Sequence, residues 1–214
     1  MNKIAYMGID IHFSRISDLD HRKGLLFLHE YDLPYTDLSV LDGIIITNHI
    51  DEYYLLEHET ILLSYLEQGG VIFCLAEKSL PWLKQIPEWK RSPIPLKDRE
   101  LNIESTDNGL FEGVRTADLE YRKGVRGFFS RGYFDNVSSG SKVLITDQSQ
   151  KTIVYVDRES TNGTIYAGAG TDMYRIYTYE ENTANRVGLQ MLESIRKEAR
   201  RIKGGRTHEY CADC

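Results

Sequence analysis

The chain has 214 residues, 27% of them charged, with a net charge of −6 and a pI near 5.6. That acidic balance argues against nucleic acid as the main partner, because neutralising phosphates needs a basic face, and no apolar run approaches the ~20 residues that span a bilayer as a helix. Three cysteines, an odd count, make no disulfide framework and point to a reducing, cytoplasmic compartment. The length suits one α/β domain, able to bury about 70% of its unfolded surface without staples.

Taken in chain order, Lys3 to Gly8 is predicted as a first strand rather than a secretory signal. The polar stretch from Ile9 to Lys23 is either a loop or a short helix, and Gly24 to His29 is weakly strand-like. Then comes the most telling run. A short apolar strand, Gly43 to Thr47, is followed by an amphipathic helix from Glu52 to Gln68 with Asp51 as its N-cap, and by a second apolar strand from Val71 to Ala76. Gly69-Gly70 stops the helix, because glycine accepts the left-handed cap conformation without a Cβ clash. Strand, crossover helix and strand make the right-handed unit of a parallel sheet.

From Lys78 to Leu101 the texture changes, with four of the five prolines and both tryptophans. This predicts a short helix over Leu80 to Ile86 and then an irregular loop covering the site rim or an oligomer face. Residues 122–134 mix arginines, glycines and aromatics. The reading favoured here is that the aromatics fill the core and the arginines pair with this acidic chain, ahead of a partner surface. Lys142–Thr146 and Thr152–Val156 are neighbouring strands, Asn162-Gly163 is a turn, and Thr164–Gly168 is another buried strand. A final helix, about Asn182 to Ile202, carries Val187, Leu189, Met191, Leu192 and Ile195 as its apolar stripe. The domain is set at residues 1–203, with 204–214 a flexible tail.

The order "DGIII", helix, "GGVIF", then "GTIYAGAGTD" and a closing helix resembles the class I glutamine amidotransferase-like superfamily, in particular its trehalose-utilisation-type and accessory branch. The last strand's match is Gly163, Ile165, Gly168, Gly170 and Asp172. The resemblance implies a mostly parallel, flavodoxin-like α/β sheet flanked by helices, with a small antiparallel extension around residues 142–156. Active members of the superfamily hold a cysteine in a tight Gly-x-Cys-x-Gly turn that aims helix amides at the thiol. Here Cys74 stands near that place without either glycine, and no His-Pro-Glu or His-x-Glu follows a late strand. The resemblance therefore carries the scaffold and argues against glutamine hydrolysis.

Open parallel sheets bind ligands outside the carboxyl ends of their strands. On this topology Asp10, His12, His49, Glu77, Asp172 and Arg175 all project to one rim, where they would bind a small polar ligand or a protein partner. Three rival assignments stand beside that one. Cys74 is a hydrolase nucleophile or a buried apolar cysteine. The histidines and carboxylates of the rim hold a metal, or are merely the polar ends of loops. In the tail, His208, Cys211 and Cys214 at His-x-x-Cys-x-x-Cys spacing offer three zinc ligands, or an unstructured end. No other cofactor is expected, and a homo-oligomer or a structural component of an assembly is the remaining class.

Overall fold

The computed structural model of the protein describes residues 3–16, 24–75, 77–122, 125–170, 172–176 and 181–209. In chain order, β1 (Lys3–Gly8), α1 (Asp10–Ser14), β2 (Leu25–His29), β3 (Leu41–Ile46), α2 (Glu52–Glu57), α3 (Glu59–Glu67) and β4 (Val71–Cys74) form the first half. An excursion follows through β5 (Trp89–Arg91), β6 (Leu101–Ile103), α4 (Thr116–Glu120), the hairpin β7 (Tyr121–Arg122) and β8 (Val125–Arg126), and β9 (Gly132–Phe134). The chain then returns to the sheet with β10 (Lys142–Asp147), β11 (Thr152–Asp157) and β12 (Thr164–Gly168), and closes with α5 (Val187–Glu209).

The sheet runs β2-β1-β3-β4-β12-β11-β10-β6, with β9 joined to β11 and β5 to β9. Its first five strands are mutually parallel. The remaining strands pair antiparallel. The parallel part thus follows the flavodoxin order 2-1-3-4-5, in which the strand order reverses between β1 and β3, the point at whose carboxyl ends open sheets of this kind take their ligands.

Period-two alternation sends the two faces of each strand into separate cores. Tyr6, Ile45, Phe73 and Tyr166 pack on one face with Val187, Met191 and Ile195 of α5. Ala5, Met7, Ile44, Ile46, Ile72, Cys74 and Ala167 pack on the other with Leu55, Leu62 and Leu66. Gly43 is needed by the first packing, because a Cβ there would lie 2.4 Å from the Ile195 Cγ2.

The helix stop at the glycine pair is a Schellman cap. Gly69 has φ +83°, its N–H bonds the Leu66 carbonyl, and Gly70 N–H bonds that of Tyr65. The long helix predicted before it is in fact two, broken at His58, whose φ of −114° and ψ of 19° leave the helical region. The short helix predicted over Leu80 to Ile86 does not form. Instead the Glu52 carboxylate accepts from Ser79 N, Leu80 N and the Trp82 indole, while Trp82, Leu83 and Ile86 are buried. Of the predicted stripe on the last helix, Val187, Met191, Leu192 and Ile195 are buried and Leu189 is 45% exposed, and the row Val187, Met191, Ile195 extends to Ala199 and Ile202. That row follows the three-to-four-residue step of a helix face. α5 also continues through Gly204 and Gly205 to Glu209, beyond the end read from sequence.

Residues 125–134 take the favoured reading. Phe129 and Phe134 are core, Arg126 pairs with Glu120, and Arg131 pairs with Glu77. The glycine after β12 is explained by close packing too: a Cβ on Gly170 would strike the Phe129 carbonyl oxygen. No helix among the described residues is long and apolar enough to cross a membrane.

Candidate functional site

Gly8 ends β1 and leaves room for two side chains that a Cβ would crowd, the His12 Nδ1 at 2.7 Å and the Thr47 Oγ1 at 3.0 Å. His12 lies on α1 and is 2% exposed. Its Nδ1 accepts from the Ile9 N–H at 3.2 Å and faces the Thr47 hydroxyl at 3.3 Å. Accepting at Nδ1 leaves Nε2 to carry the ring proton of the neutral form. Burial, and then the Arg175 charge, push this imidazole below its ordinary value, with Asp172 pulling the other way. His12 is therefore neutral at pH 7.

Across the rim, the loop after β12 reaches back over the ends of β4 and β3. Asp172 is fully buried and its carboxylate is well supplied with donors. Tyr6 OH donates to Oδ2 at 2.5 Å, Arg175 Nε donates to Oδ2 at 2.9 Å, and Tyr174 N donates to Oδ1 at 2.9 Å. The Arg175 Nη2 continues to the Asn48 Oδ1 at 2.9 Å, just past β3. Burial, reinforced by the Asp172 charge, drives the Tyr6 hydroxyl far up, so it remains a proton donor at any working pH. His49 follows Asn48 and is exposed, with φ +60°. That conformation is uncommon for a residue with a Cβ and stores backbone strain.

The structure thus gathers His12, Asp172 and Arg175 with Asn48, and His49 acts electrostatically on His12. Asp10 is exposed in the first turn of α1. Glu77 is turned to the covering segment, 2.9 Å from Arg131 Nη1. Tyr6 escapes a reading of the sequence, because a tyrosine inside an apolar strand carries no local sign of a polar partner.

Cys74 closes β4, in register with Ile46 and Ala167, and is buried. It belongs to the same apolar core as the Trp82, Leu83 and Tyr155 side chains. Lys78 is buried nearby; burial lowers its ammonium from the ordinary lysine value, while Cys74 acts to raise it. Among the described residues no group of three or more His, Cys, Asp or Glu side chains is placed to hold a metal. Cys211, Cys214 and the His208 side chain lie outside the described residues.

No protein-family model matches the chain, and no curated protein matches it. Among solved structures it is similar to one from Thermoplasma acidophilum, of a protein provisionally described as a GMP synthase subunit. The two superpose with a TM-score of 0.56 over 97% of this chain and 98% of that one, at 11% identity. At that identity the likeness is one of fold, and it covers the whole domain.

Proposed function

We propose that this chain uses an amidotransferase-like scaffold for binding instead of glutamine hydrolysis, and takes a small polar ligand where β1 and β3 end. The observation that carries this reading is the network running from Tyr6 through Asp172 and Arg175 to Asn48, beside a neutral His12. Buried polar groups cost stability unless satisfied, so a satisfied network at a topological switch point suits a preorganised binding edge. The strained His49 next to it supports the same reading.

The test is a thermal-shift screen with amino acids, monosaccharides and nucleoside monophosphates as separate probes, on wild type and on His49→Ala and Asn48→Ala. A stabilising class whose effect vanishes in both variants supports the proposal. A hit unaffected by either variant, or no hit in any class, overturns it.

A second reading rests on Cys74 and Lys78. A lysine whose ammonium is disfavoured by burial next to a buried thiol is a combination found where nucleophiles are activated. Against it stands the complete burial of Cys74 on a strand without a glycine turn.

A further inference from the structure

A partly open cavity of about 220 Å³ is lined by Trp89, Arg91, Leu96 and Arg99 of the covering segment and by Arg131, just before β9. Three arginines in one cavity are unusual for a chain of net charge −6. Their charges are also poorly balanced. Arg131 pairs with Glu77, which is the one ion pair the three make among the described residues.

Arg99 is 8% exposed, and among the described residues its guanidinium bonds main-chain carbonyls alone, Nε to Ile94 at 2.9 Å and Nη1 to Gly127 at 3.2 Å. Burial first, then the Arg131 and Arg91 charges, push Arg99 down from its ordinary value. The protein therefore holds like charges together and, among the described residues, buries one of them without a counter-ion. That arrangement costs stability unless an anion is present for part of the protein's life.

The surroundings fix these groups. Alternation along β5 puts Trp89 and Arg91 on one face, while Lys90 turns away to Asp135. The Trp89 indole donates to the Ala169 carbonyl at 2.8 Å, and its ring lies where a Cβ on Gly132 would stand. The Arg131 backbone carbonyl accepts from Ser92 N.

We propose that this cavity is a binding site for a dianionic oxyanion, of the phosphate-monoester class, held by Arg91, Arg99 and Arg131. Three guanidiniums against one carboxylate leave two positive charges, which match a dianion. The planar fork of arginine fits the oxygens of a phosphoryl group with paired hydrogen bonds.

The two indole N–H signals provide the readout in an NMR titration with inorganic phosphate at low ionic strength. Trp89 borders the cavity, whereas Trp82 donates to Glu52 and serves as the internal control. The expected result is saturable movement of the Trp89 signal alone, with Kd on the order of 1 mM or tighter. Sulfate should act like phosphate, and acetate should bind at least about tenfold more weakly. Arg91→Ala, at an exposed position, should weaken phosphate roughly tenfold or more, while His12→Ala and His49→Ala leave it unchanged. A still Trp89 signal overturns the proposal. So does equal binding of acetate, or equal affinity in Arg91→Ala with the Trp82 signal intact.

Discussion

Tyr6 on β1 donates its hydroxyl to Asp172, in the loop after β12, at 2.5 Å, although β3 and β4 stand between those strands in the sheet. The loop therefore straps the parallel strands together across their carboxyl ends. Arg175 fastens it a second time at Asn48.

Tyr6→Phe should cost about 1–3 kcal/mol in urea unfolding, because it takes a donor from a buried carboxylate without changing shape. Asp172→Asn, which removes the charge and keeps a hydrogen-bonding side chain, should be partly tolerated alone and should reduce the penalty of Tyr6→Phe in the double mutant. Strictly additive losses would mean that the hydrogen bond carries no coupling.

His12 gives a pH dependence with a definite sign. Its folded value lies below the ordinary 6.5, chiefly through burial, so the unfolded chain binds the extra proton first. The contribution is complete above about pH 6.5 and declines as pH falls through the lowered folded value. Denaturant midpoints measured from roughly pH 7 down to pH 5 should therefore fall more steeply in wild type than in His12→Asn. Parallel slopes would remove His12 as the cause.

On the opposite end of the sheet from the strap, Glu198 is buried and bonds Arg158, Arg201 and the Thr164 hydroxyl. Burial works to raise its carboxyl, but hydrogen bonds from Arg158 and Arg201 outweigh it and hold the group below the usual range. Glu198→Ala should cost about 3–5 kcal/mol, since Arg158 is left half-buried with Asp107 as its remaining carboxylate. Chemical denaturation reads this directly. A loss below about 1 kcal/mol would class the pair with surface ion pairs.

Cys74 should react slowly with a thiol reagent in the native state, with a rate that follows structural opening and rises steeply in mild denaturant. Fast labelling at neutral pH, unaffected by denaturant, would favour the nucleophile reading. In that event Lys78→Met should slow the labelling.

Gly43→Ala should destabilise the domain by about 1–3 kcal/mol, because the new methyl group meets Ile195 across the β3–α5 contact. Ile195→Ala removes the Cγ2 that the new methyl group meets, so the double mutant should lose less than the sum of the two single losses, which thermal denaturation would show.

The parallel half is legible in the sequence because each of its signals is local. Apolar runs in β1, β3 and β4, the Asp51 cap and Gly69 act on residues within one turn or strand. What fails depends on distant partners. Leu80 to Ile86 has helical spacing, yet its fixed points are distant: Glu52, 27 residues upstream of Ser79, holds the Ser79 and Leu80 amides and the Trp82 indole. Strand order alone assigns the rim residues to strand ends, and His12, Asp172 and Arg175 do meet there. Tyr6 and the arginine cavity stay hidden at that level, because their neighbours come from far along the chain.

The strap has a consequence for biosynthesis. Tyr6 and Asp172 are separated by 166 positions, so the first strand leaves the ribosome long before its buried partner exists. Chains arrested before β12 can form the β1–β3–β4 layer, but their carboxyl edge stays open. Completion of that edge waits until Asp172 has been made, long after its Tyr6 partner.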